Sequence, residues 1–339
     1  MRARPSSRLL AAVAVVLLGS AACGGNDDAA APSTSGTSTT SSATTPAGPA
    51  TLVLDQNFPD PDVLEVKGTY YAYATQPNDN SANISMATSK DLRTWEVATT
   101  DPLPQLGAWA TNKRTWAPEV TAAGNGFVMY YTARSVEPDL QCIGVARATK
   151  PEGPFTPVGS KPIICPADQG GAIDAASFVD TDGSRYLLWK NDGNCCDKDT
   201  WLYLQTVSDD GLKLTGKPRR LVKQDQPWEG NLVEAPTLVK RGKTYVLLYS
   251  ANDYAGEKYT TGYATSAKID GPYTKGEQPL MQTDKIGVTG PGGQDVVVDA
   301  KGTTNILFHG WDGSVTYRGM YLAPLTWKGD VPVVGPSPS

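Results

Sequence analysis

The sequence predicts an all-β fold, a five-bladed β-propeller of four-stranded blades over residues 51–335. Three observations lead there. From Thr51 onward, short runs rich in Tyr, Val, Thr and Leu lie between Gly, Pro and Asp turns, with almost no helical period. Similar segments open at Asp60, Ala117, Asp174, Glu234 and Gln294, spaced 57, 57, 60 and 60 residues apart. Each period has room for about four strands, and five equal periods describe a propeller rather than a sandwich.

The units follow in order. The first runs from Asp60-Pro61-Asp62-Val63 through a turn at Gly68 to Thr69-Tyr70-Tyr71-Ala72-Tyr73, then to Ile84–Ser89 and Trp95. The second opens at Ala117-Pro118-Glu119-Val120, turns at Gly124-Asn125-Gly126 and continues through Phe127–Tyr131 and Ile143–Ala146. The third joins Asp174–Phe178 to Tyr186–Trp189 across Asp182-Gly183. The fourth joins Glu234–Leu238 to Tyr245–Tyr249 across Arg241-Gly242, and adds Tyr263–Ser266. The fifth joins Gln294–Val297 to Asn305–His309 across Lys301-Gly302. The Asn-Gly and Asp-Gly pairs read as hairpin turns. No Gly-rich loop follows a strand and opens a helix, so no organic cofactor is expected.

Residues 1–50 read differently. Arg2, Arg4 and Arg8 precede a short apolar run, Leu9–Leu18, too short to span a bilayer and suited to a signal segment over residues 1–22. Its end, Gly19-Ser20-Ala21-Ala22-Cys23, resembles a bacterial lipobox of the actinobacterial type, which makes Cys23 the expected lipidation site. Residues 23–50 are Ser, Thr, Ala and Pro rich with no large apolar side chain, as in a flexible tether. The expected location is extracytoplasmic, either lipid-anchored at the outer face of the cell membrane or secreted. Export favours disulfides: Cys142–Cys165 is the favoured pair, leaving Cys195 and Cys196 as a vicinal bridge or as free thiols.

Composition narrows the chemistry. A single His, His309, excludes the multi-imidazole zinc hydrolases, and a net charge of −5 argues against a nucleic-acid partner. With 35 acidic residues, acid–base work falls to Asp and Glu. The innermost strand of each blade faces a common axis, so the acidic unit starts Asp60, Asp174 and Glu234 converge. Carboxyls facing each other across a sugar and a water belong to an inverting glycosidase. Asp60 between two prolines also suits a plain turn, but Asp174 and Glu234 at matching positions outweigh that. Asp62 and Glu229 are the rivals for base and acid.

Several segments in a fixed order carry a family resemblance. They are Asn57-Phe58-Pro59-Asp60-Pro61, Trp116-Ala117-Pro118-Glu119, Ile173-Asp174 through Asp182-Gly183, Glu234-Ala235-Pro236, Gly290-Pro291-Gly292, Phe308-His309-Gly310-Trp311 and Tyr317-Arg318. Together they resemble glycoside hydrolase family 43, which holds arabinanases, arabinofuranosidases and β-xylosidases. The resemblance implies Asp60 as general base, Glu234 as general acid and Asp174 as the carboxylate that orients the acid and raises its pKa. It implies Arg318 as a sugar contact and His309 as an axial ligand for Ca²⁺ or Na⁺ in the channel. Ala175-Ala176 after Asp174, and Gly293-Gln294 where a His is frequent, depart from the commoner pattern.

Among the aromatics, Phe58 and Trp116 are the expected sugar-stacking residues, whereas the Tyr pairs suit strand packing. The expected function is hydrolysis of α-L-arabinofuranosyl linkages in plant-derived oligo- or polysaccharide by a monomer that touches the membrane only through its N-terminal lipid. A β-xylosidase or galactofuranosidase of the same fold is the alternative, and a non-catalytic sugar-binding propeller is the alternative of another class. Xylose-preferring members of the family often carry an extra C-terminal β-sandwich. A chain ending just after the fifth unit therefore tilts the expectation towards arabinan.

Overall fold

The computed structural model describes residues 50–335. The predicted signal segment, Cys23 and the tether up to residue 49 lie outside the described residues. The described chain is a five-bladed β-propeller. Blade one holds the antiparallel strands Asp62–Val66, Thr69–Ala74, Ser85–Ser89 and Trp95–Val97. Blade two holds Ala110–Ala123, Gly126–Ser135, Gln141–Ala148 and Thr156–Pro157. Blade three holds Ala172–Val179, Arg185–Asn191, Trp201–Val207 and Leu214–Lys223. Blade four holds Val233–Arg241, Thr244–Ala251, Thr260–Ser266 and Thr274–Lys275.

Blade five closes the ring. Its strands Thr289–Val298, Thr304–Trp311 and Arg318–Lys328 are followed in space by Thr51–Leu54, which pairs antiparallel with Arg318–Lys328. The first strand of the domain thus completes the last blade, a long-range pairing that the 57–60-residue period does not reveal. Val331–Val334 also pairs with Arg318–Lys328.

The apolar core is divided into layers between neighbouring blades, and the two-residue strand period explains why. In the second strand of blade three, Leu187 and Trp189 pack against blade two, while Leu188 packs against blade four. In blade four, Leu247 and Tyr249 face blade three, and Val246 and Leu248 face blade five. Tyr70 and Ala72 face blade five, and Tyr71 and Tyr73 face blade two. Both faces of each such strand are buried, which is why these runs read as continuous apolar stretches rather than alternating ones.

The first strand of each blade lines the axis and carries the same backbone step, which in blade one lies just before the strand. Asp60, Ala117, Asp174, Ala235 and Gly293 all have positive φ, between 38° and 56°. In blades two to five the ladder slips directly across this step, as in a β-bulge, which re-aims the side chains around it. The step corrects the register inferred from sequence. Ala235, not Glu234, matches Asp60 and Asp174, and Gly293 rather than Gln294 matches them in blade five. Only glycine fits at 293, since a Cβ there would lie 2.5 Å from His309 Nδ1 and 2.8 Å from Asp60 Oδ1.

Two residues beyond the step, side chains tie four of the five blades to the next, blade three carrying Ala176 there. Asp295 Oδ2 accepts the Val63 N–H at 2.9 Å, and Asp62 Oδ2 accepts the Val120 N–H at 2.8 Å. Glu119 Oε1 accepts from Ser177 Oγ, and Thr237 Oγ1 donates to the Gln294 carbonyl at 2.7 Å. Asp62 is therefore a structural clamp, not a rival base. Burial pushes the carboxyls of this ring up, and the charges of Glu119 and Asp295 add to it for Asp62. Glu119 is pushed up to about 7 and Asp295 to about 6. Their folded values exceed the unfolded ones, so the folded state holds extra protons and stability is lost as pH rises from about 4 to 7. We predict a Tm lower at pH 8 than at pH 5 by roughly 4–8 °C. In Glu119→Gln, which supplies a donor without a titrating charge, thermal melts across that range should show a flatter slope.

Candidate active site

Five three-residue segments, one from each blade, line a narrow axial channel of about 40 Å³. At Asp60 and Asp174 it opens onto a wider cleft of about 600 Å³, walled by residues from all five blades. Asp60, Asp174, Glu234, Trp116, Lys190, Tyr259 and Arg318 all line this cleft. The structure thus brings together the three carboxylates singled out in the sequence, although Glu234 arrives from one residue before the left-handed step.

Asp60 is held as a carboxylate. Burial alone would push its carboxyl up, but the Arg318 guanidinium outweighs that, with His309 and Thr75, and holds it well below the usual range. Arg318 Nη1 lies 3.6 Å from Asp60 Oδ1, His309 Nδ1 lies 3.2 Å from the same oxygen, and Thr75 Oγ1 donates to Oδ2 at 2.7 Å. The Arg318 guanidinium is itself braced by aromatic rings, 4.9 Å from Tyr254 and 5.7 Å from Trp311.

The opposite side is a buried charge cluster. Both Glu234 oxygens accept hydrogen bonds, Oε2 from Lys190 Nζ at 2.9 Å and Oε1 from the Tyr259 hydroxyl at 2.8 Å. Lys190 is completely buried and lies 3.8 Å from Asp192 as well. Asp174 Oδ2 accepts the Ala235 N–H at 2.9 Å, which fixes the backbone next to Glu234. Burial and the Glu234 charge raise the Asp174 carboxyl to about 8, so this side of the cleft holds a proton at neutral pH. One cation among three carboxyls leaves an excess of negative charge, and retaining that proton relieves it.

Other candidates fall elsewhere. Phe58 is fully buried between blades five and one and presents no face to the cleft, so it does not stack on a ligand; its N–H instead holds the Arg318 carbonyl at 2.8 Å. Trp116 is 36% exposed and does line the cleft. Glu229 is fully buried and accepts from the Asp225 and Gln226 amides, the Tyr249 hydroxyl and Lys275, which leaves it a structural anchor. His309 is buried under the Tyr259 ring, its Nδ1 against Asp60 and its Nε2 3.3 Å from Arg318 Nη1. A guanidinium at that distance opposes a cation on Nε2, so His309 does not fit as a Ca²⁺ or Na⁺ ligand in this arrangement. Among the described residues no group of three or more His, Cys, Asp or Glu is disposed to hold a metal.

Lys190 and Tyr259 escaped the sequence reading. For Lys190 a signal existed, a charged residue ending the apolar strand Tyr186-Leu187-Leu188-Trp189. Tyr259 carried none. Cys142 pairs with Cys165 as favoured, and Cys195 bonds to its neighbour Cys196, which closes the alternative of free thiols.

Residues 50–332 match the family model described as Glycosyl hydrolases family 43. The chain belongs to that family. It is a glycoside hydrolase, and the cleft with its converging carboxyls is its candidate active site. It is 28% identical over 262 residues to "Beta-D-galactofuranosidase xynD" of Aspergillus niger, covering 71% of this chain and 72% of that one. It is 27% identical over 286 residues to "Probable arabinan endo-1,5-alpha-L-arabinosidase A" of Aspergillus flavus, covering 77% and 84%. Among solved structures, a thermostable family-43 glycoside hydrolase is 29% identical with a TM-score of 0.72, covering 84% of this chain and 95% of that one.

The two aromatics separate by experiment. Trp116→Ala should raise KM for a glycoside about tenfold with little change in Tm, since an exposed cleft ring contributes on the order of 1 kcal/mol to binding. Phe58→Leu should lower stability by about 1 kcal/mol and leave KM within a factor of about two.

Proposed function

We propose that this family-43 hydrolase inverts the anomeric centre and acts on α-L-arabinofuranosyl linkages of plant-derived saccharides. The observation that carries the reading is the contrast between the two sides of one cleft. Arg318 and His309 keep Asp60 ionised, while Asp174, beside Glu234, keeps a proton near neutral pH. In the reaction, Asp60 takes a proton from a water as its oxygen attacks the anomeric carbon. Glu234 gives a proton to the departing glycosidic oxygen, and Asp174 keeps that side supplied and fixes the Ala235 amide beside it. Arg318, with free guanidinium donors over the cleft, binds sugar hydroxyls.

A furanose preference draws on the galactofuranosidase and arabinosidase names of the two relatives, since both sugars present five-membered rings. The first of these also favours a second reading, a galactofuranosidase. Export and anchoring through a lipid on Cys23 are part of the proposal; two disulfides suit an oxidising compartment.

The test is a panel of nitrophenyl α-L-arabinofuranoside, β-D-xylopyranoside and β-D-galactofuranoside with linear arabinan. The arabinofuranoside and arabinan should be cleaved fastest, and Asp60→Ala and Glu234→Ala should each lower kcat by about 10²–10⁴. Full activity of Glu234→Ala would remove it as the acid. The wild-type kcat/KM should fall above about pH 8, where the Asp174 side loses its proton. In Asp174→Asn, which cannot titrate, that limb should disappear.

A further inference from the structure

The cleft wall on the Glu234 side ends in a feature that the reaction as derived does not use. Strand Arg185–Asn191 delivers Lys190 and then Asp192 to the cleft, and the short turn Gly193–Cys196 follows at once. Asn194 and Cys195 line the same cleft, and Cys195 and Cys196 are exposed and bonded to each other. The other disulfide is different: Cys142 is fully buried in the core between blades one and two.

The turn is braced from behind. The Cys195 N–H donates to the Asp192 carbonyl at 3.3 Å, and the Lys198 N–H donates to the Gly193 carbonyl at 3.0 Å. Asn191 Nδ2 donates to the Gln169 and Asp199 carbonyls at 3.2 and 3.0 Å. Gly170 packs so closely against the turn that a Cβ there would lie 2.5 Å from the Asp192 carbonyl oxygen and 3.2 Å from Cys195 Sγ. A covalent bond between neighbouring residues, held on such a frame, gives this end of the cleft a fixed, polarisable and apolar surface. Sugar C–H faces pack on surfaces of that kind.

We propose that the Asp192–Cys196 turn, faced by the Cys195–Cys196 disulfide, is a wall of the leaving-group subsite and contacts the departing sugar. The proposal rests on Glu234 as the acid. An acid protonates the oxygen of the leaving group, and the wall runs on from Glu234 through Lys190, 2.9 Å from it, to Asp192, 3.8 Å from Lys190, whose carbonyl holds the Cys195 N–H. The disulfide therefore meets the sugar that leaves rather than the water that attacks.

The test compares two substrates in wild type and in the Cys195→Ser/Cys196→Ser double variant: an arabino-oligosaccharide, and an arabinofuranosyl fluoride, whose leaving group is a single atom. The double variant should lose about five- to tenfold in kcat/KM on the oligosaccharide, an effect of the size of one lost packing contact, and stay within about twofold on the fluoride. Treating the folded wild type with a phosphine should give the same split, with thiol trapping identifying Cys195 and Cys196 as the reduced pair. The phosphine takes up oxygen from water as the two thiols form. Equal activity on both substrates after either treatment overturns the proposal, and so does an equal loss on both, which marks general loosening of the fold. A wild type that cleaves neither substrate overturns the reading of the function itself.

Discussion

The axial channel is too narrow to hydrate the carboxyls that the blades place on it, and the arrangement of the site follows from that. Asp62, Glu119 and Asp295 line a channel of about 40 Å³, room for very few waters, and Asp60 and Asp174 stand at its mouth on the cleft. A charge buried without a partner costs several kcal/mol, so each carboxyl must find a cation, a donor or a proton. Asp60 finds Arg318 and His309. Asp62 and Asp295 find the backbone amides of neighbouring blades, and Glu119 finds Ser177. Asp174 finds the Ala235 amide and keeps a proton. Chemistry and architecture thus draw on the same residue types and are separated by position along the inner strand. Asp60 and Asp174, at the left-handed step, face the cleft, and Asp62, Glu119, Thr237 and Asp295, two positions after the step, clamp neighbouring blades together.

That separation makes one fold serve two demands. The clamps are rigid because each ties the first strand of one blade to that of the next, which keeps the blades from fanning apart at the axis. The step residues are held in a backbone conformation unfavourable for anything but glycine, at a cost the surrounding sheet bears. In return, Asp60 and Asp174 point into a shared space that a regular strand would not let them reach. Lys190 completes the site from a different strand. Its ammonium, wholly buried, orients Glu234 and offsets part of the negative charge that Asp174 and Asp192 bring with them.

Much of this was legible in the sequence. The period of 57 to 60 residues gave the blade number, and the acidic residues near each unit start gave Asp60, Asp174 and Glu234 as a converging set. Position within the unit was less legible. A bulge inserts a residue without changing the surrounding pattern, so Glu234 looked equivalent to Asp174 although Ala235 holds that place. Phe58 looked like a cleft aromatic because its neighbour Asp60 lines the cleft, yet the chain turns it into the layer between blades five and one. The pairing of Thr51–Leu54 with Arg318–Lys328 joins the two ends of the domain, and no local pattern announces it. Tyr259 and Lys190 meet Glu234 across blades, where only the packed structure brings them together.

The central claim is that Asp60 and Glu234 act from opposite sides of the scissile bond, the first on water and the second on the leaving oxygen. The anomeric configuration of the first-formed sugar reports this directly. Proton NMR of arabinofuranoside hydrolysis, recorded before mutarotation, should show the β-anomer appearing first. Initial formation of the α-anomer would mean two displacements through a covalent intermediate, and would contradict the assignment of Asp60 as a base.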